Sequence, residues 1–408
     1  MKIIYLHQHF RTPGESGGIR SYQFARSLAE RGHDVHVITA DAQRGAPRSY
    51  DEAMEGFHVH RFGVPYDNSM SVKARIASFV RFAALSAKLS RSLHGDVVLA
   101  TSTPLTIALP ALYAILGRPR SRFVFEVRDL WPAVPVAMGI LRQPVLVWAA
   151  RLLEKVTYRR ADSIVALSEG MADGVRSIHP EADIRVVPNI SDIVAFQDCA
   201  PAEPLLDGAL EGRAVVLYCG TFGKVNGLGY MVDLAAAVKR KGSSIAFVAV
   251  GEGAEKKAVI QKARTLGVLG SSFWALAAVE KNALPGLLAQ ATFGSSWVID
   301  VPALEHNSAN KFFDTLAAGK PMLINHGGWQ AEVLKSTGAG WRLDRDPEVA
   351  ADQLVEIVRD ETTEIRAAGN AALLLATERY SLPVLAHEFA LVVEAAQSSR
   401  KRATAFRR

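Results

Sequence analysis

The order strand, glycine-bearing loop, helix, strand occurs twice in this chain, and it restricts the possible folds more than any other feature. In the first half, the apolar run 3–6 is followed by a loop carrying Pro13, Gly14, Gly17 and Gly18. A helix with Tyr22, Ala25, Leu28 and Ala29 on one face comes next. Gly32 suits its left-handed stop, and 35–39 reads as the following strand. In the second half, 214–219 is a strand and 220–229 a glycine-rich loop. Met231, Leu234, Ala235 and Val238 then mark a helix face, and 245–250 is again a strand. Each unit is βαβ, whose crossover helix makes the strand pair parallel. The two units share a plan and not a sequence, so the expectation is an α/β chain of two doubly wound domains in tandem.

Further strands are expected at 57–62, 97–101, 123–127, 163–167, 184–187, 293–298 and 321–324. Their near-continuous apolar, often β-branched character suits strands covered on both faces. The stretch 188–212 collects Pro188, Pro201, Pro204, Gly208 and Gly212 and has the composition of a linker. This places domains at 1–190 and 213–381, a linker at 191–212 and a basic tail at 398–408.

Composition excludes several classes. With 408 residues, 49% hydrophobic and 22% charged, the chain has ordinary globular character and enough length for two cores. Cys199 and Cys219 offer neither a metal-ligand spacing nor a disulfide framework, and are expected as reduced, packed thiols. The N-terminus has too short an apolar run for a signal peptide, and the longest apolar stretch, 104–117, is too short to span a bilayer. A cytoplasmic protein is expected.

The net charge of +6 is concentrated in two places. Residues 71–95 hold five basic groups, Lys73, Arg75, Arg81, Lys88 and Arg91, and no acid. Residues 400–408 hold five more and no acid. Without these ten the chain carries 37 basic and 41 acidic residues, a net of −4. Local patches of this kind point to an anionic membrane surface or an acidic partner rather than to general nucleic-acid binding. In 72–93, Val72, Ile76, Phe79, Val80, Ala83 and Ala87 fall on one helical face. That helix serves either as a cover on the sheet with a solvated basic side or as a contact with anionic lipid.

The segment 305–321 is the richest in chemistry. Polar residues Glu305, His306 and Asn307 lead into a short helix that ends at Gly319. A helix N-terminus at the mouth of a parallel sheet presents free N–H groups to an anion, and Lys311 adds a full charge there. Asp314 lies one turn further on and can accept hydrogen bonds from ribose hydroxyls. A capped structural helix with a solvated Asp314 fits the same residues.

This run resembles the nucleotide-sugar motif of retaining GT-B glycosyltransferases of the family 4 type. That motif has a Glu, seven residues, a second Glu and a small-residue run ending in Gly-Lys-Pro. Residues 314–321, Asp-Thr-Leu-Ala-Ala-Gly-Lys-Pro, match its second half with Asp314 in the place of Glu. Eight positions before Asp314 stands His306, with Glu305 one residue earlier, so either can fill the first carboxylate position. The Asn310-Lys311-Phe312-Phe313-Asp314 version resembles a bacterial surface-polysaccharide branch, represented by fucosamine transferases of O-antigen pathways. Gly17-Gly18-Ile19-Arg20, the segment 125–132, the segment 161–169 and Val187-Pro188-Asn189-Ile190 follow the family's order along nearly the whole chain.

The resemblance implies two Rossmann-like domains facing across a cleft, with the helix 382–397 returning to the first. It implies a nucleotide-sugar donor with uridine as base, a saccharide or lipid-linked saccharide acceptor, and transfer with retention. It implies no tightly bound cofactor and no metal. Donor contacts are expected from Gly17, Gly18, Gly220, Gly223, Gly251, His306, Asn310, Lys311 and Asp314. Catalytic roles are expected for Glu305, Lys224, Arg128 and Asp129. Lys224 lies in a loop where relatives carry Arg and Lys, and here Thr221 and Asn226 replace them. Arg128 stands where relatives place His and, staying protonated, is not a base; Asp129 can act as base or orient Arg128.

His58 and His60 alternate on a strand and are expected as packing or surface groups. His7 and His9 flank the first strand's end with no assigned role. Two other readings remain at this stage: a sugar-nucleotide epimerase on the same fold, and a non-catalytic nucleotide-sugar-binding protein. Nucleic acid is not expected as a partner.

Overall fold

The computed structural model describes residues 1–15, 17–43, 45–67, 70–198, 204–206, 208–359 and 362–405. The chain divides into two compact units. Unit 1 comprises 1–12, 19–188 and 385–408; unit 2 comprises 13–18 and 189–384. Each contains one mainly parallel sheet covered by helices.

In unit 1 the chain runs β1 (Lys2–Leu6), α1 (Arg20–Glu30), β2 (Asp34–Asp41), β3 (Ser49–Met54), β4 (Phe57–Gly63), α2 (Val72–Ser92) and β5 (Val97–Thr101). It continues through α3 (Ala108–Ile115), β6 (Arg122–Val127), α4 (Ala133–Ala137), α5 (Pro144–Arg160), β7 (Ser163–Ala166), α6 (Glu169–Ile178) and β8 (Ile184–Val186). The sheet order is β3-β4-β2-β1-β5-β6-β7-β8. Only β3 is antiparallel to its neighbour. β1 and β5 lie in the centre, and their residues from Ile3 to Leu6 and Val97 to Ala100 are buried on both faces, as continuous apolar strands require.

A buried ion pair ties this unit together. Arg20 Nε meets Glu126 Oε1 at 2.8 Å, and Thr101 Oγ1 donates to the other carboxylate oxygen at 2.5 Å. The guanidinium also donates to the carbonyls of Val187 and Pro188. Every strong group of this pair is thus hydrogen-bonded, the condition under which buried charge is tolerated.

Helix α2 departs from expectation. Ile76 and Val80 are exposed, at 40% and 55%, whereas Ser78, Phe82, Ser86 and Ser90 face inward. The serines satisfy themselves on carbonyls: Ser86 Oγ donates to Phe82 at 2.7 Å and Ser78 Oγ to Pro65 at 3.0 Å. Small, internally bonded residues let α2 pack against α3, which leaves Ala83 of the expected apolar face buried and Phe79 and Ala87 half-buried while Ile76 and Val80 turn to solvent.

Unit 2 runs α7 (Ile193–Gln197), β9 (Val215–Cys219), α8 (Leu228–Arg240), β10 (Ala246–Val250), α9 (Lys256–Thr265), β11 (Phe273–Leu276), α10 (Leu284–Ala289) and β12 (Phe293–Ser296). Then follow α11 (Asn310–Ala317), β13 (Met322–Ile324), α12 (Trp329–Thr337), β14 (Gly340–Arg342), α13 (Pro347–Arg359), α14 (Thr362–Leu375) and α15 (Leu382–Ala405). The sheet order is β11-β10-β9-β12-β13-β14, parallel throughout. From Leu385 onward α15 groups with unit 1, where Phe389 stacks on Phe24 with ring centroids 4.2 Å apart.

The stretch expected as a linker is partly structured. Asp192 caps α7 by accepting from the Ala195 N–H, and Phe196 is buried among Leu217, Val248 and Leu284. An aromatic anchor thus docks this segment onto unit 2. Cys199 lies outside the described residues, as do the side chains of the basic tail. No helix among the described residues is long and apolar enough to cross a membrane.

Candidate active site

In unit 2, the carboxyl ends of β9 and β10 meet through glycines. A side chain on Gly251, at φ +153°, would overlap the Gly220 carbonyl, so the two strand ends approach as closely as backbones allow. Lys311, in the first turn of α11, reaches into this corner. Its Cε would lie 3.1 Å from any Cβ on Gly220, and its Nζ stands 5.1 Å from the Tyr218 ring centroid. The amino group donates to Asn226 Oδ1 at 3.2 Å. Among the described residues it forms no ion pair, and burial pushes its pKa down to about 8. Asp314 opposes that shift from a distance, and an ammonium with no carboxylate in direct contact favours an anion arriving from outside.

The rest of the segment surrounds that ammonium. Asn310 opens α11, and a side chain on Gly18 would strike its amide nitrogen; Gly17 precedes Gly18 at φ +126°. The N-terminal N–H groups of α11 begin here. One turn on, Asp314 is buried and its Oδ1 lies 2.5 Å from Lys281 Nζ. Burial raises the Asp314 pKa, and Lys281 opposes the shift. Nearby, the half-buried Cys219 thiol is pushed up to about 12 by burial, with Asp314 adding to the effect.

Glu305 lies in the tight 3-10 turn Pro302–His306. Its Oε1 accepts from Arg345 Nη2 at 3.2 Å and from the Gly327 N–H at 3.3 Å. Arg345 also meets Asp300 at 3.2 Å. Glu305 is therefore a positioned, charge-balanced carboxylate. His306, half-buried, closes the same turn.

Lys224 opens the 3-10 turn Lys224–Asn226, whose last residue holds the Lys311 ammonium. It is exposed in the turn before α8 and, with Gly223, lines a cavity of about 550 Å³ shared with Asp233, Lys262, Asp300 and Arg345. Lys311 is not part of that lining. The Gly220–Gly227 loop turns Lys224 towards α8, whereas Lys311 approaches from α11.

In unit 1, the carboxyl ends of β1, β5 and β6 assemble a second group. The Arg128 N–H donates to Ser102 Oγ at 2.9 Å, and its Nη1 lies 3.3 Å from His7 Nε2. Burial, with Arg128 beside it, holds His7 well below its ordinary pKa. The neutral ring then accepts from Arg128 through Nε2 and carries its proton on Nδ1, a buried atom with no hydrogen-bond partner among the described residues. Asp129 accepts from Thr103 Oγ1 at 3.2 Å, and burial raises its pKa. It forms no ion pair with Arg128 among the described residues, so the orienting partner of Arg128 is His7.

Lys281 and Arg345 were not foreseen from the sequence, whereas His7 was marked there by its place at the end of the first strand but given no role.

Residues 17–190 match the glycosyl transferase 4-like domain, and 207–373 match the glycosyl transferases group 1 domain. No curated protein sequence matches the chain. Among solved structures, sucrose-phosphate synthase from Thermosynechococcus elongatus is similar with a TM-score of 0.74 at 14% identity, covering 99% of both chains. HepE from Anabaena, in complex with UDP-glucose, gives 0.70 at 15% identity, covering 97% of this chain and 100% of that one. An α,α-trehalose 6-phosphate synthase from Burkholderia multivorans gives 0.74 at 14%, covering 100% and 98%. The paired Rossmann-like halves define a GT-B protein. The chain belongs to the glycosyltransferases of that fold, with a 4-like N-terminal half and a group 1 C-terminal half.

Proposed function

We propose that unit 2 binds a nucleoside diphosphate sugar, with UDP as the nucleotide, and that the enzyme transfers the sugar with retention to a saccharide or lipid-linked saccharide. The observation that carries this reading is Lys311, a half-buried ammonium beside the Gly220 loop with no carboxylate partner among the described residues. A leaving diphosphate develops charge there, and Lys311 with the α11 N-terminus stabilises it without rearrangement. Asp314 sits one turn deeper for the ribose, and Glu305 and His306 flank the sugar. Lys224 meets the donor's outer charge from its own cavity. Asn310 and Gly18 fix the loop edge, while Gly17, Gly220, Gly223 and Gly251 give the ligand room. In unit 1, Arg128, with Asp129 beside it, serves the acceptor. The UDP-glucose bound in the similar Anabaena structure supports the choice of uridine.

The acceptor is proposed to be a lipid-linked intermediate of surface polysaccharide assembly, met at the inner face of the membrane. Support comes from α5, where Val145 and Trp148 are 74% and 65% exposed and Arg151 and Lys155 stand on the exposed surface beside them. Exposed Lys73, Arg81 and Lys88 on α2 extend the basic character. Such a mixture of apolar and basic groups suits an anionic lipid surface.

Calorimetry of the whole chain with UDP, GDP and ADP tests the donor reading. UDP is expected to bind best, and Lys311→Ala to weaken it at least about tenfold, the loss of one charge-assisted contact. Equal binding of all three nucleotides, or none, overturns the reading.

A further inference from the structure

At the β2–β4–β3 edge of unit 1 sits a chain of four hydrogen-bonding groups. Asp34 Oδ1 lies 3.0 Å from His36 Nε2, and His36 Nδ1 lies 3.0 Å from His60 Nε2. His60 Nδ1 lies 2.7 Å from Asp51 Oδ1. Strand register makes the cluster: His36 pairs with His58 and Ile38 with His60 across β2 and β4, and Asp51 pairs with His60 across β3 and β4.

The three contacts need three positive hydrogens or their equivalent. A carboxylate only accepts, and a neutral imidazole brings one N–H. Two neutral rings therefore supply two. The His60–Asp51 contact is the shortest of the three, which assigns the His60 Nδ1–H to Asp51, and His60 Nε2 must then accept from the His36 Nδ1–H. The bare lone pair of His36 Nε2 then faces the oxygen of Asp34 at 3.0 Å, and two acceptors at that distance repel. The position between them calls for a cation. Lys2 Nζ lies 3.4 Å from the other oxygen of Asp34, Oδ2.

Either a third proton or a metal ion fills this position. His58 decides between them. Its ring stacks on His36 with centroids 4.9 Å apart, and one donor atom each from Asp34, His36 and His58 lie within 4.8 Å of one another. A shared proton needs two acceptors and makes no use of this third donor. We propose that Asp34, His36 and His58 bind a divalent transition-metal ion of the zinc class. His60 and Asp51 act behind His36, fixing its tautomer by the relay that orients metal-ligating histidines. Two imidazoles and a carboxylate are borderline donors suited to zinc, and a tetrahedral ion needs its ligand atoms about 3.3 Å apart. Side-chain rotation of the exposed His58 and Asp34 closes the remaining distance. The site is at a sheet edge, uses none of the residues assigned to sugar transfer, and goes beyond the expectation that His58 and His60 are packing or surface groups and that the chain binds no metal.

The test is titration of chelator-treated full-length protein with Zn²⁺ by calorimetry, and with Co²⁺ by visible absorption. One equivalent is expected, with a rise in melting temperature. His58→Gln and His36→Gln should each weaken binding at least about tenfold, and His60→Gln by about 10- to 100-fold through the relay. His58 is exposed, so His58→Gln is expected to fold, which matched melting curves in chelator verify. Absence of saturable binding overturns the proposal. So does binding that His36→Gln and His58→Gln leave unchanged, or a histidine NMR titration showing a shared proton with no metal uptake.

Discussion

The carboxylate of Asp314 lies 2.5 Å from Lys281 Nζ, and both side chains are almost entirely withdrawn from solvent. Lys281 in turn stands 5.4 Å from the Phe196 ring centroid. The pair sits beneath the Lys311 corner, so the acid proposed for the ribose also neutralises a buried cation. Sequence alone predicts an Asp314→Asn variant with weaker donor binding and an intact fold. The structure predicts a loss of stability as well, about 1–3 kcal/mol, because Lys281 keeps its charge and loses its counter-charge. Urea unfolding measures it. Lys281→Met should cost a comparable amount, and the double variant less than the sum; strict additivity would show the pair to be uncoupled.

Lys311 makes donor binding depend on pH. Burial places its pKa at about 8, so the ammonium is present below that value and is lost as pH rises through it. UDP affinity should be steady on the acid side and then fall, approaching about tenfold per pH unit, until it reaches the higher pKa of the complex. Lys311→Arg, charged throughout, should flatten the profile. An unchanged slope in that variant would assign the effect to another group.

Glu305 is held by Arg345 and the Gly327 N–H, so its carboxylate has a defined direction. Glu305→Gln is expected to cut turnover at least about tenfold, equivalent to about 1.4 kcal/mol of barrier. His306→Ala should cost less, since a neutral imidazole offers weaker electrostatics. Steady-state rates with saturating donor rank the two; the reverse order would put His306 in the carboxylate's role.

The His7–Arg128 contact predicts a variant that binds donor but turns it over slowly. His7→Ala should lower turnover by about tenfold or more while leaving UDP affinity within about twofold. Parallel losses in both would mean that His7 serves the structure of unit 1.

Membrane association is expected to need both the apolar face of α5 and the basic face of α2. Trp148→Glu should reduce sedimentation with anionic vesicles, and so should charge reversal at Lys73, Arg81 and Lys88. Activity on a water-soluble acceptor analogue should survive both changes. Vesicle binding equal to the parent's would remove lipid from the account.

The strands legible in the sequence are those whose burial on both faces leaves an unbroken apolar run, such as β1, β5 and β10. β3 was not legible: Ser49–Met54 is a polar edge strand with one exposed side, and its residues satisfy no core. β14 spans only Gly340–Arg342, too short for any period to show. At the candidate site, Lys311 and Asp314 were legible because they share a helix turn with the motif. Their partners were not. Lys281 stands 33 residues from Asp314, Arg345 stands 40 from Glu305, and His7 stands 121 from Arg128. Parallel topology brings such residues to neighbouring strand ends, and no local spacing records it.

Unit 1 is discontinuous in sequence, and this sets an order of events during synthesis. A ribosome that has finished Pro188 must still make the 196 residues of Asn189–Val384 before the last helix of unit 1 emerges. At roughly 5–20 residues per second that is a wait of roughly 10–40 s. Throughout it, Phe24 lacks the ring of Phe389, and Arg31 lacks the carboxylate of Glu394 that it later meets at 2.9 Å. Unit 2 needs only the early loop 13–18 from upstream and can be complete first. The nascent chain therefore carries an open apolar groove on its earlier-made half, a natural client surface for a chaperone until translation supplies the helix that seals it.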